Sequence, residues 1–272
     1  MKNICKILVL VAVLFSASAN AQTTKWGIRG GVSIPNLKSV DDNIYSKGYT
    51  SVTGYDFSIF GDFGITKKFS IKTDLGVIKK GGERNGMQPI PASLLGDLAQ
   101  MLPPGQPVFA NFNNSAVFTY IEIPVLAKYQ WSVGKNLGFY VNGGPYIDFM
   151  LNPTQVTSGT SSLYYDEAGS VPVLIPANPQ APPQTWIMVP LPPQNFTAET
   201  DISKDLATMD FGAMLGVGLA ASIGKQSELF LDIRGAYGFI PLQKDTETYG
   251  TVHMGNVSFA VGYAYVINKK SK

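Results

Sequence analysis

Ten ionisable residues recur on alternate positions of short apolar runs. They are Arg29, Asp56, Asp62, Lys72, Asp74, Glu122, Lys128, Asp210, Asp232 and Arg234. Carboxylates in close pairs could act as acid and base in glycoside chemistry. Here four bases stand among six acids, which favours an ion-pair network, because buried charges must pair and hydrogen-bond or carry a large penalty. The one histidine, His253, lies five residues before Ser258. An odd spacing on a strand sends the two side chains to opposite faces, which disfavours a base and nucleophile pair of a lipid hydrolase. The glycine pairs at 30–31, 81–82 and 143–144 do not follow a phosphate-loop pattern. With one histidine and one cysteine there is no metal-ligand spacing. No cofactor and no enzymatic activity are expected.

The elements that hold these charges are read from alternation. In LFLDIRGAYGF (229–239), Leu229, Leu231, Ile233, Tyr237 and Phe239 share one face, and Asp232 and Arg234 lie on the other. Seven more runs have the same polarity: 25–34, 55–63, 69–79, 119–131, 138–151, 209–222 and 256–267. In run 138–151 the polar face holds Asn142 and Asp148; in run 209–222 it holds Asp210 and a column of Gly212, Gly216 and Gly218. Each run has about the length of a tilted membrane strand, ~9–11 residues. The connections alternate in length. Short turns follow the second, fourth and sixth runs, and long ones cover about 36–54, 80–118, 152–208 and 240–255. Tight periplasmic turns and long extracellular loops are the habit of outer-membrane barrels. The fold expected is all-β: an eight-stranded antiparallel up-and-down transmembrane β-barrel with long extracellular loops and short periplasmic turns. Its apolar face meets outer-membrane lipid, and the ten charges point inward. An eight-stranded interior is just wide enough for side chains to fill, so they should form a salt-bridged plug. The inward glycines should leave room for large neighbours.

The bulk properties agree. Charged residues are 15% of 272, and the mean hydropathy is +0.08. No stretch after the N-terminus is apolar enough for a membrane helix, whereas alternating strands hide their apolar half from such a search. Residues 1–21 have a basic start, an apolar run from Ile7 to Phe15 and an Ala19-Asn20-Ala21 ending, the pattern of a secretory signal. The domain would then span 22–272, exported to the outer membrane of a Gram-negative bacterium. Removing Lys2 and Lys6 leaves 21 − 2 = 19 basic against 19 acidic residues. A neutral chain has no general electrostatic reason to bind nucleic acid.

Two loops carry the remaining signals. In 91–102, Leu94, Leu95, Leu98 and Leu102 follow helical spacing, with Ser93 placed to cap the start. In the proline-rich 152–208, Trp186, Ile187 and Met188 form an apolar stretch. Either these residues bury themselves over the barrel mouth, or they form a contact patch for an extracellular or envelope protein partner.

The stretches WGIRGGVSIPNL, YIEIPVLAKYQ, GGPYIDF, DFGAMLGVGL and SFAVGYAY resemble the PorT-like outer-membrane β-barrel family. The resemblance covers nearly all of the chain after the signal except the two big loops. Its motifs specify a framework, not a reaction. It implies a small Gram-negative outer-membrane barrel, in a family whose founding member belongs to a protein-secretion system. The function expected is a non-enzymatic structural or partner-binding component of the cell surface. A small porin or transporter-like barrel and a lipid-modifying enzyme are the alternatives.

Overall fold

In the computed structural model the described residues are 23–90, 95–103, 105–178, 180 and 182–268, so the expected signal segment lies outside them. Eight long strands form the wall: β1 Thr23–Ser39, β2 Gly54–Gly64, β3 Phe69–Ile90, β4 Val108–Ser132, β5 Leu137–Ser158, β6 Met209–Ile223, β7 Ser227–Pro241 and β8 Val252–Asn268. Each pairs antiparallel with its sequence neighbours, and β1 pairs with β8 from Thr23–Asn268 to Ser39–Val252, which closes the ring. Within the ring itself, among the described residues, closure removes the open edges that another chain could extend.

The register fixes the shape. Stepping from Trp26 across Gly61, Thr73, Val125, Pro145, Ala213, Tyr237 and Gly255 returns to β1 at Asn36, a stagger of ten residues. For eight strands, with a rise of ~3.3 Å and a spacing of ~4.8 Å, that stagger tilts the strands by about 40°.

The two faces of the wall differ as the alternation requires. Ile28, Phe57, Ile59, Leu75, Leu215, Leu231 and Val261 are exposed on the outside, whereas Arg29, Asp74, Asp232 and Arg234 are buried inside. Rings gather at both ends of the outer face. Tyr129 meets Trp131 edge-on at 4.8 Å and Trp26 meets Phe63 at 5.7 Å toward the short turns; Phe211 meets Phe239 at 5.4 Å toward the long loops. Amphipathic rings suit the two headgroup levels of a membrane.

The expected loop bounds are corrected. Residues 36–39, 152–158, 240–241 and 252–255 belong to strands, and so, by the widest margin, do 80–90 and 108–118, so that only 91–107 connects β3 to β4. Strands β3, β4 and β5 have 22, 25 and 22 residues, roughly twice what a bilayer crossing takes. Beyond the membrane the outward face need not be apolar, so the ladder continues after its hydrophobic signature ends.

Inward glycines set the bore. A Cβ at Gly218 would collide with the Tyr140 ring, and one at Gly262 with the Phe230 ring. Gly235 faces out, with nothing within 4 Å of such a Cβ. Gly218→Val should therefore abolish the heat-modifiable gel migration of the folded barrel, since overpacking typically costs ~1–3 kcal/mol and here it meets an aromatic ring and the opposite backbone. Gly235→Ala should migrate normally; equal behaviour of the two variants would refute the packing.

Candidate functional site

The barrel interior is built in layers. At the short-turn end Lys25 pairs with Glu228 at 2.8 Å and Lys128 with Asp62 at 2.8 Å. Above them Phe60, Tyr140 and Phe230 form an aromatic layer, and Lys72 Nζ lies 4.2 Å from the Phe60 ring centre and 4.7 Å from that of Phe230. The centre is a cluster of arginines and aspartates. Arg234 donates to Asp74 at 2.6 Å and to Asp232 at 2.7 Å, and Arg29 donates to Asp56 at 2.8 Å. Arg29 also lies 3.7 Å from both Asp74 and Asp232, and Lys72 lies 3.8 Å from Asp232. Higher again, Lys80 bridges Asp148 at 2.7 Å and Glu122 at 3.3 Å.

Of the ten charges read from sequence, nine take part in these pairs. Asp210 makes no direct ion pair among the described residues and accepts the Ile240 backbone N–H at 3.1 Å. Lys80, Asp148, Lys25 and Glu228 join the network beyond the ten charges that alternation marks. Lys80 falls within the expected 80–118 loop, although its position, even-numbered like Lys72 and Asp74 on the same strand, puts it on their inward face.

An apolar layer closes the bore toward the long loops. Ile78, Phe118, Tyr120, Val252 and Met254 of the wall meet Leu206 and Leu242 from the loops. Leu206 is held there by a bridge to Gln243 and by Ala207 N–H donating to Leu242 O at 2.8 Å.

Beyond the mouth, the long strands carry a folded head. Ile90, Val108, Ala110 and Phe112 of the β3–β4 extension pack with Leu163, Val173 and Leu191 of the 159–208 connection. Backbone bonds fasten the two, with Phe109 N–H to Tyr164 O at 2.8 Å and the reverse at 2.9 Å. Val171 and Ser170 N–H groups bond the Asp166 carboxylate and hold its pKa below the usual range.

The candidate contact residues divide. Leu95, Leu98 and Leu102 pack against this head core, while Leu94 and Ser93 lie outside the described residues. The expected helix is a 3-10 helix over Gly96–Met101, preceded by Leu95 with no side-chain cap. Trp186, Ile187 and Met188 are exposed, Ile187 at 72%. Leu174–Pro176 pairs antiparallel with Met188–Pro190, which places exposed Leu174 and Met188 on one face and Ile175 on the other, against the core.

A family model described as an outer membrane protein beta-barrel domain matches residues 20–244. The chain belongs to this outer-membrane β-barrel family. The family places the chain in the outer membrane of a Gram-negative cell, with its long loops outside. Among solved structures, the outer membrane protein OprG from Pseudomonas aeruginosa is 8% identical with a TM-score of 0.41, over 92% of this chain and 99% of that one. A major outer membrane protein from Thermus thermophilus is 12% identical with a TM-score of 0.40, over 90% and 99%. No curated protein matches the sequence.

In this outer-membrane barrel His253 and Ser258 stand on opposite faces of β8. Ser258 is inside and accepts from Arg29 at 3.3 Å, while the His253 ring stacks on Tyr237 at 5.7 Å.

The 40–53 and 242–251 loops latch together over the mouth. The Asp41 carboxylate accepts Thr251 N–H at 2.8 Å, and Asn43 donates to Thr248 O at 3.1 Å. The Thr251 bond, with smaller help from Asn43, Ser46 and Ser39, holds the Asp41 carboxyl below its ordinary pKa. A depressed carboxyl stabilises the latch fully above its ordinary pKa and releases it as the pH falls through the lowered value. Asp41→Ala should lower the protection factor of the Thr251 amide at neutral pH, and acidification through the lowered Asp41 pKa should do the same in the wild type once the slower intrinsic exchange in acid is divided out. Exchange indifferent to both would remove the latch.

The plug makes a stability prediction. Arg234→Met leaves Asp74 and Asp232 without their shortest partner and should cost about 3–5 kcal/mol in urea unfolding from bilayers. Adding Asp232→Asn should recover at least ~1 kcal/mol of that loss. Additive losses would show that the two residues do not interact.

Proposed function

We propose that this outer-membrane barrel is a non-enzymatic anchor that presents a partner-binding head at the cell surface. The observation that carries the reading is the exposed apolar ridge Leu174, Trp186, Ile187 and Met188 on a head with its own buried core. Exposed side chains of this kind mark contact sites when they cluster, and a core beneath them keeps the ridge in one shape. The surrounding chain has one sign of charge: residues 152–203 contain Asp166, Glu167, Glu199 and Asp201 and no lysine or arginine. The partner surface that fits is therefore apolar at its centre and basic or neutral around it.

Resemblance to PorT-like barrels adds a setting, an envelope assembly concerned with protein secretion. The filled interior argues against a porin, because a permeating solute would have to displace the central arginines and aspartates and then the apolar layer above them. The separation of His253 from Ser258 argues against a lipid hydrolase.

A photo-crosslinking residue at position 187 or 188 in living cells tests the reading. It should yield one discrete adduct that a crosslinker at lipid-facing position 231 does not. Ile187→Asp with Met188→Asp should reduce a crosslink from position 174 at least ~tenfold while the barrel still migrates as folded. A smear of unspecific adducts, or an adduct unchanged by the double substitution, would overturn it.

A further inference from the structure

The mouth of the barrel holds a pocket separate from the ridge. Its volume is about 360 Å³, within the ~300–1,000 Å³ of small-molecule sites. It is blind. Leu206 of its lining belongs to the apolar layer that seals the bore, and Ile202 packs against that layer. Whatever enters is held on the extracellular side and does not pass.

The lining has two chemistries. Three tyrosines face it, Tyr45 and Tyr49 from the 40–53 loop and Tyr249 from the neighbouring 242–251 loop, with Tyr45 edge-on to Tyr249 at 5.8 Å. Four carboxamides share the wall: Gln88, Asn114, Gln155 and Gln243. They are bonded into place. Gln155 Nε2 donates to Asn114 Oδ1 at 2.9 Å, Asn114 Nδ2 donates to the Tyr49 hydroxyl at 3.0 Å, and Gln88 Nε2 donates to Phe112 O at 2.7 Å. Gln243 Oε1 accepts Val252 N–H at 3.2 Å. Among the described residues, this leaves Gln155 Oε1 as an acceptor, and Gln243 Nε2 and the Tyr49 O–H as donors.

The wall carries no net charge. Arg84 and Asp205 are its one cation and one anion, and Arg84 already donates to Ile44 O at 2.7 Å and faces Glu167 at 3.7 Å. An anion would meet one committed guanidinium, and a lipid chain would meet four amides. A ligand with apolar C–H faces and a rim of hydroxyls, each both donor and acceptor, matches rings and amides together.

We propose that this vestibule pocket binds a neutral saccharide ring, either free or as the terminal unit of a glycan. The recognition is by aromatic faces and fixed amides, and it is independent of whether the ridge has a protein partner.

The test uses the signal-free chain refolded in a zwitterionic, sugar-free detergent. Glucose, galactose, N-acetylglucosamine, their methyl glycosides, maltose and lactose are titrated by calorimetry and by saturation-transfer NMR. At least one should bind saturably with a Kd at or below about 1 mM. Tyr249→Ala and Gln155→Leu should each weaken it at least ~tenfold with folded migration retained, and Trp186→Ala should not. Added salt should leave the affinity unchanged. A methyl glycoside or disaccharide binding as well as the free sugar would mark a glycan end; preference for the free monosaccharide would mark a soluble ligand. No saturable binding by any probe would overturn the proposal. So would binding of glycine or phosphate in place of sugars, weakened by salt, which would assign the pocket to charge through Arg84.

Discussion

The constraint on which this structure rests is the width of an eight-stranded ring. Its bore is filled by side chains and leaves no lumen for bulk water. A charge that points inward must therefore find its partner, a counter-charge or a backbone amide, within the protein and not in solvent. Arg234 shows the result: it reaches from β7 to Asp74 of β3 while holding Asp232 of its own strand. The Arg234–Asp74 and Lys72–Asp232 pairs cross the barrel between β7 and β3, separated by more than a hundred residues of sequence. These two form only once the ring is closed in its correct register, since a one-residue slip would turn a strand's charges toward lipid. The network thus ties closure to register as well as filling space.

The outer surface and the head follow from the same division of environments. Within the membrane the wall is apolar outside and charged inside, and the backbone is satisfied between strands. Above it the lipid is gone and the same strands continue with mixed faces. The loops complete what the ring begins. Leu206 and Leu242 cap the charged bore with an apolar layer, and residues 159–208 form a second core against the strand extensions. Between these two cores lies the amide-lined vestibule, while the apolar ridge is on the outside of the head.

Alternation made the eight wall strands legible, because lipid outside and a packed bore inside enforce a period of two. The same rule hid the extensions of β3 and β4. Asn85, Asn111 and Asn113 lie in strands there, but no lipid requires them to be apolar. Lys80 was lost to the network for that reason alone. Asp210 was legible as inward, yet its partner is a backbone amide, which side-chain types cannot announce. The leucines of 91–102 have helical spacing, but Leu98 packs on the head core from a six-residue 3-10 helix and Leu95 and Leu102 from the positions that flank it. Leu206 plugging the mouth had no local signal, since its place depends on a bridge to Gln243. Sequence period reports the solvent a strand faces; it is silent where a loop chooses among several surfaces.

The β3–β4 ladder keeps one register from Phe69–Tyr129 within the membrane to Ile90–Val108 in the head. Head and barrel are thus parts of one hairpin, with no flexible joint between them. A pull on the head along the barrel axis would draw β3 and β4 the same way and load their ladders to β2 and β5 in shear, strand past strand, rather than opening bonds one after another as in peeling. The head is built to transmit tension to the membrane-embedded wall without extending first.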